Sequence, residues 1–464
     1  MSAGIRHLLG ASSVRPLIVI LIPALVTACA PRDQRLQTAQ QLADQALQSD
    51  RAWEIVESLT TEVGPRLAGT PADLRAVAWA QQMLEQSGFD RVWLEPVTFP
   101  VWQRHHESAQ VETPFPQQLS ITALGYSGST HGELTADVIA FDNLDKLRET
   151  NERHINGKIV FINQRMARAR DGAGYGQTRP IRTSGVNIAK EKGAAAVLIR
   201  SVGTDSQRFP HTGSTTRSDN PIPAAALSNP DADQLERILR KHTLVTITLN
   251  IETSLQMKGQ SSNVVAQLDG RESPEQVLVL GAHLDSWDLG TGAIDDGAGV
   301  AIVSAAAQLI GELPQRPKRS IRVVLFANEE QGEWGGKQYA QANQNDLQNY
   351  VLASESDFGA GAIWEFNTNN KRLYEDAQGV MARLNIAVGT SATSGGADIR
   401  PMQELGNVPV VQLRQDGTEY FDYHHTANDT LDKVNPETLR QNVAAWAAVY
   451  YLAAESDYNF RAAE

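Results

Sequence analysis

The sequence predicts an α/β fold: a mixed, largely parallel sheet flanked by helices, with a mainly-β domain inserted into it. Three observations lead there. Residues 277–280 (VLVL) form an apolar run closed by Gly281, and a polar, glycine-rich loop separates them from a second apolar run, 300–310, of helical length. Further apolar runs at 319–327, 351–353 and 408–413 also lead into acidic residues or histidine, as strands of an open sheet do when their carboxyl ends carry a site. Residues 119–251 behave differently, with short strand-like runs alternating with turns.

Taken in order, the chain begins with Arg6, His7 and Arg15, an apolar stretch at 16–26, and then Thr27, Ala28 and Cys29. A basic start, a short apolar core and small residues before a cut are the parts of an export signal. The apolar core is shorter than the ~20 residues of a comfortable membrane span. Cys29 is the single cysteine, so an internal disulfide does not explain it. The LVTAC ending resembles a bacterial lipoprotein signal. That resemblance implies a signal over 1–28, lipidation of Cys29 and anchoring at the cell envelope, with Ala30 favouring the outer membrane. An unlipidated protein would be secreted or periplasmic.

Residues 29–45 are polar and read as a tether. At 50–62, Trp53, Ile55, Val56 and Leu59 recur at helical spacing, and Gly64-Pro65 stops that helix. A second helix begins at Thr70 or Pro71 and ends by Gly88, and Val92, Leu94 and Val97 read as a strand. These form an N-terminal part of the catalytic domain, 46–118. The insert, 119–255, carries strand-like runs at 138–141, 158–162 and 243–251, and a helix-to-strand unit around Gly193. Its histidines, His131, His154, His211 and His242, are scattered and read as surface or loop residues. The rest of the catalytic domain, 256–464, begins with a strand at 264–266. It closes on an amphipathic helix at 436–455 with Leu439, Val443, Trp446, Val449 and Leu452 near helical spacing.

With 41% hydrophobic and 20% charged residues, the 464-residue chain has the balance of a soluble globular protein. A net charge of −13 argues against a nucleic-acid partner, which needs a basic surface.

The strand ends converge on one chemistry. They offer His283 with Asp285, Glu329 with Glu330, Asp357, and His425, and the loop after the first adds Asp295 and Asp296. A strand as apolar as 323–327 is buried on both faces. Two carboxylates at its mouth cannot both stay charged without compensation, which a divalent cation supplies. Adjacent residues point different ways, so one glutamate can bind metal while its neighbour faces a water as general base.

The order His283, Asp295, Glu329-Glu330, Asp357, His425 is similar to that of the co-catalytic zinc peptidases of the M28 family. HLDSWDLGTGAIDDGAG, RPKRSIRVVLFANEEQGEWGG, ASESDFGA and YFDYHHTANDT resemble its carboxypeptidase Q branch, as do VGPRLAGT and LEPVTFPVWQR. GKIVFINQ, YGQTRPIRTSGVNIAKEKGAAAVLIRSVG and FPHTG resemble the protease-associated domain of these enzymes. The resemblance covers nearly the whole chain after the signal. It implies the zinc-exopeptidase fold with a protease-associated-like insert, and two Zn2+ per chain. His283 and Asp357 would bind one zinc and Glu330 and His425 the other. Asp295 would bridge them, with its peptide bond to Asp296 cis. Glu329 would be the general base, taking a proton from a metal-acidified water and returning it to the leaving amine. Asp285 would accept a hydrogen bond from the far nitrogen of His283. The family pattern places Ser or Thr directly after this ligand, so the resemblance implies His425, followed by Thr426, over His424, with Asp429 orienting it. All-N/O ligation fits catalytic zinc, and manganese or cobalt as well.

The substrate implied is a small peptide with a free terminus, dipeptides being preferred in the nearest branch, and homodimers are common among related enzymes. Asp398, Asp416 and Tyr420 lie in loops expected near the site and are candidates for holding the substrate. Arg179 and Arg182 of the insert are candidates for its carboxylate, and Trp287 for a side-chain pocket. The leading reading is an exported exopeptidase: a dipeptidase, a carboxypeptidase Q-like enzyme or an aminopeptidase. A glutaminyl cyclase has a related fold with one zinc, and a receptor-like member would lack ligands or base. All six positions are filled here. M20 peptidases place an extra domain after the glutamate pair, whereas here it precedes His283. Cys29→Ser is expected to give an unlipidated or uncleaved protein that leaves the membrane fraction; unchanged retention on fractionation would sink the anchor.

Overall fold

The computed structural model describes residues 1–4 and 31–462. Cys29 and residues 5–28 of the expected signal lie outside them. The strands are β1 (Arg91–Thr113), β2 (Gln117–Leu119), β3 (Ile121–Ala123), β4 (Leu134–Phe141), β5 (Ile159–Ile162), β6 (Ala196–Arg200), β7 (Ala224–Leu227), β8 (Thr246–Leu268), β9 (Ser273–His283), β10 (Arg319–Phe326), β11 (Tyr350–Glu355), β12 (Ile363–Asn367), β13 (Ala387–Gly389) and β14 (Gln412–Gln415). The main sheet runs β11-β9-β10-β8-β4-β5-β6-β7-β3, with β1 along the other edge of β8. β11, β9 and β10 are parallel, as are β4, β5, β6 and β7. β8 is antiparallel to both blocks and joins them.

The strand-like runs at 243–251 and 264–266 are therefore parts of one 23-residue strand, β8, paired along its length with the 23-residue β1. The register of that ribbon shifts at three places, one of them between Phe99 and Val101, where Pro100 has no N–H to donate. The boundary expected at 255/256 falls inside β8. Turn-like polar residues at 256–262 mark the solvent-exposed middle of a ribbon there, not a linker. The insert's parallel strands carry helices Gly185–Glu191 and Asn229–Lys241, more helix than its short runs imply.

The tether expected over 29–45 is, from Pro31, a docked helix, Pro31–Ala46. Ala39, Leu42, Ala43 and Ala46 are buried. That spacing is one helical face, and small side chains let it lie close against the C-terminal helix Pro436–Ala454. Arg32 and Arg35 fasten it to the buried Asp376. The two helices expected before β1 are present. The first runs Arg51–Ser58 and continues through a wider turn, Leu59–Val63, to Gly64. The second, Pro71–Glu85, is capped by Thr70 accepting from the Asp73 amide.

The apolar run after the glycine-rich loop is the helix Ala298–Gly311, buried through Ile310 and packed against β9, β10 and the C-terminal helix. The strand expected at 408–413 takes a different form. It gives the main sheet one bridge, Val410 beside Ala353, next to Pro409. The chain then passes into β14, which pairs with β12 in a separate three-stranded sheet.

Candidate metal centre

β9, β10 and β11 run parallel in a register that sets Phe326 beside His283 and Glu355 beside Gly281. Their carboxyl ends therefore coincide. Asn328 turns the chain out of β10 at φ 55°, a left-handed conformation that asparagine tolerates, and Glu329 and Glu330 follow at the sheet edge. Asp357 follows β11 by two residues. His425 arrives from the short helix Tyr420–Tyr423 at φ 62°. The structure thus brings His283, Asp285, Asp295, Glu329, Glu330, Asp357 and His425 to one place.

The two histidines have fixed faces. His283 is fully buried, and its Nδ1 lies 3.0 Å from the Asp285 carbonyl oxygen. A carbonyl only accepts, so Nδ1 carries the proton and the Nε2 lone pair points the other way. There it meets Asp295 Oδ1 at 3.1 Å and Asp357 Oδ1 at 3.4 Å. His425 repeats the pattern: Nδ1 faces the Thr212 carbonyl at 3.3 Å, and Nε2 meets Glu330 Oε2 at 2.9 Å and Asp295 Oδ2 at 3.3 Å. An imidazole nitrogen set against carboxylates needs either a proton or a metal cation between them. Donors sharing a tetrahedral zinc at about 2.0–2.2 Å stand about 3.3 Å apart, the spacing seen in both sets. Asp295 Oδ2 and Glu330 Oε1 are buried without a hydrogen-bond partner, which a cation would supply. The donor set fits two zinc ions, with the two oxygens of Asp295 facing opposite ways.

Electrostatics agree. Burial, then the Asp357 charge, holds the Glu329 carboxyl well above the usual glutamate range, and burial and Asp295 do the same for Glu330. Burial alone would lower His283, but the neighbouring carboxylates of Asp285, Asp295 and Asp357 raise it well above the ordinary value. Without metal the cluster has to gather protons.

The frame around the cluster is equally specific. Asp296 follows Asp295 through a cis peptide bond and spends both oxygens on backbone amides, those of His283 at 3.1 Å and Gly299 at 3.0 Å. Asp285 holds the Glu329 amide at 3.0 Å, while its carboxylate is 3.7 Å from His283 Nδ1; the carbonyl of Asp285, not its carboxylate, fixes that ring. Asp429 does not orient His425. It accepts from the amides of Ile294 at 2.6 Å and Asp295 at 3.2 Å and so positions the loop carrying Asp295. The fully buried Arg66 donates to the carbonyls of Leu284, Thr291 at 2.7 Å and Gly292 at 2.9 Å, clamping that same loop. Gly292 turns its carbonyl there at φ 61°, where a side chain would also meet Ser286 and Arg66.

The substrate candidates separate. Asp398 is fully buried, accepts from the Gly336 amide at 3.0 Å, and so secures the helix Trp334–Ala342 instead of facing the cavity. Burial pushes its carboxyl up to about 8. Asp416 pairs with Arg170 of the insert at 2.9 Å and with Thr418, away from the metal cluster. Tyr420 does line the cavity, packed between Phe358 and His424. Trp287 is buried against Trp102 and His425 as core. The cavity holds about 900 Å³ between the metal cluster on one wall and Tyr175, Arg179, Arg182 and Thr216 of the insert on the other.

His211 lies in a loop of the insert, as expected, but it is not a surface residue. It is buried, with Nε2 at 2.7 Å from the Asp205 carboxylate and Nδ1 at 2.7 Å from the carbonyl of His424. The next amide, Thr212, donates to the His425 carbonyl at 3.0 Å. The insert therefore grips the backbone on which His425 sits. The FPHTG motif was the available signal, but one histidine far from the others in sequence has no period to betray it. His424 stacks on His425 at 3.5 Å between ring centroids, with its Nε2 3.6 Å from Asp295.

A model described as peptidase family M28 matches residues 263–450. Carboxypeptidase Q of Homo sapiens is 35% identical over 415 residues, 88% of this chain and 86% of that protein. Carboxypeptidase Q of Mus musculus is 33% identical over the same shares. The solved structure of a peptidase M28 precursor from Shewanella amazonensis SB2B is 47% identical, with a TM-score of 0.90 over 93% of this chain and 99% of that one. BSAP, a zinc aminopeptidase from Bacillus subtilis, shares the fold at 19% identity and a TM-score of 0.65, over 89% of this chain and 98% of that one.

His211→Ala is expected to leave a folded protein whose zinc affinity falls roughly 10- to 100-fold, because it frees the turn that carries His425. Competition with a chromophoric chelator measures this, and unchanged affinity would remove His211 from the support of the centre.

Proposed function

Since the chain belongs to peptidase family M28, we propose that it is an exported, co-catalytic dizinc exopeptidase that cleaves small peptides with Glu329 as general base. One observation carries the two-metal reading: Asp295 faces a histidine–carboxylate set with each of its oxygens. His283, Asp357 and Asp295 would hold one zinc, and His425, Glu330 and Asp295 the other. Bound there, zinc supplies polarisation of the scissile carbonyl and acidification of a water. A one-zinc cyclase site would leave one of the two sets without its cation.

The residues of the chain supply the rest. Asp285 holds the Glu329 amide and so aims a carboxylate that has no hydrogen bond of its own at the cavity. Burial raises its affinity for a proton, which suits a group that takes a proton from the attacking water and later gives it to the leaving amine. Residues of the insert line the cavity together with the metal ligands. A dipeptidase or carboxypeptidase Q-like activity is favoured by the similarity to carboxypeptidase Q over 88% of the chain. The basic, apolar and small-residue start of the chain supports export, with Cys29 as lipid anchor.

Purified protein is expected to carry about two zinc per chain, and a value near one would favour the cyclase. Glu329→Gln should keep that metal while kcat on dipeptides falls roughly 10²- to 10⁴-fold. Activity that survived the change would remove Glu329 as base.

A further inference from the structure

The metal cluster and the start of the helix Pro31–Ala46 lie at opposite edges of one sheet. His283 ends β9, and Glu329 and Glu330 follow the end of β10. The amino ends of those strands meet other partners. Arg271, two residues before β9, pairs with Glu455 at 2.7 Å. Lys318, directly before β10, pairs with Asp457 at 2.8 Å, and Arg319, its first residue, donates to the Tyr458 carbonyl at 2.8 Å. Arg35 donates to the Tyr458 hydroxyl at 2.6 Å, and Arg32 to the buried Asp376 at 2.9 Å. The first turn of the helix is therefore fastened to the amino edge of β9 and β10. The eight residues of β10, at about 3.3 Å each, set that edge roughly 25 Å from the metal cluster.

In the sequence, only Ala30 separates Pro31 from Cys29. Acyl chains on Cys29 would hold its backbone at the level of the lipid headgroups. Two residues of chain reach at most about 7 Å. The helix adds no length to that tether, because its buried face is packed on the C-terminal helix. Beside Arg32 lies a cleft of about 410 Å³ in which Lys318 and Arg372 stand with Glu375, Glu455 and Asp457. Its charges nearly balance, so this face is spared the repulsion from anionic headgroups that a net charge of −13 imposes on the surface as a whole. Arg32, with 58% of its side chain exposed, has N–H groups left for a phosphate.

We propose that the amino edge of the catalytic sheet is a membrane-facing surface, held on phospholipid headgroups around Arg32 by the two-residue reach from Cys29. This rests on the lipid-anchor reading above. The metal cluster then stands on the side away from the bilayer. The insert stands there too, since Thr212 binds the His425 backbone and the insert shares the lining of the metal cavity. Anchored in this way, the centre draws peptides from solution and not from the membrane surface.

The test uses the full-length lipidated protein in phosphatidylglycerol-containing vesicles that carry an acceptor dye on a fraction of their headgroups. A donor dye is attached either at the amino edge, through Glu375→Cys, or on the insert, through Asp145→Cys; both positions are exposed. Energy transfer to the headgroups is expected to be strong from position 375 and weak from position 145. Equal transfer from the two, or stronger transfer from 145, overturns the proposal. A flexible spacer of about twenty glycine and serine residues between Ala30 and Pro31 reaches roughly 25 Å and should lower transfer from position 375. Transfer unchanged by the spacer overturns the short tether as its cause. A protein that does not partition into the vesicles at all overturns the lipid-anchor reading itself, and this surface with it.

Discussion

Asp285, Asp295, Asp296, Glu329, Glu330 and Asp357 converge at the carboxyl ends of three parallel strands, most of them buried. Charge gathered in a low-dielectric place has to be offset. The chain does so in three ways. Backbone amides take the oxygens of Asp296 and Asp429. The buried guanidinium of Arg66 adds a fixed positive charge beside the loop and ties its carbonyls together. Asp295 and Glu330 each keep a buried oxygen with no hydrogen-bond partner, and these are the atoms a cation would complete. Metal binding and the shape of the sheet edge are one problem with one solution.

That solution spans the boundary between the catalytic part and the insert. The β1–β8 ribbon is a single covalent and hydrogen-bonded beam that serves as an edge to both parallel blocks. A second link runs from His211 and Thr212 to the backbone of His424 and His425, and a third from Arg170 to Asp416 and Gly417. The insert is therefore part of the centre's support as well as the far wall of its cavity. Residues expected to hold substrate prove to serve this architecture: Asp416 fastens the insert, and Asp398 fastens a helix.

Aromatic packing carries the remaining precision. Tyr175, Phe358, Tyr420 and Phe421 form a cluster beneath His424, and Trp287 lies between Trp102 and His425. Rings buried at these distances leave the histidine turn few alternative positions. The left-handed conformation of His425 persists because the surrounding packing and the Thr212 contacts hold it.

The sequence by itself determined the parts whose signal is local. Apolar runs with period or length marked β9, β10, β11 and the helix Ala298–Gly311, and acidic or histidine residues just beyond them marked the ligands. Resemblance then assigned the roles of His283, Asp295, Glu329, Glu330, Asp357 and His425. Tertiary structure decided what depends on pairing at long range. β8 reads as two strands because its middle is polar and solvent-facing, and only its partner β1 makes it one. Residues 29–45 read as a tether because the apolar face of the helix Pro31–Ala46, alanines and one leucine, is weak, and only the C-terminal helix gives it something to bury against. Arg66, His211 and Asp429 lie in the stretches VGPRLAGT, FPHTG and YFDYHHTANDT, but no periodicity marks what they hold. Each acts by hydrogen-bonding the backbone of a distant loop, a partner that no side-chain pattern records.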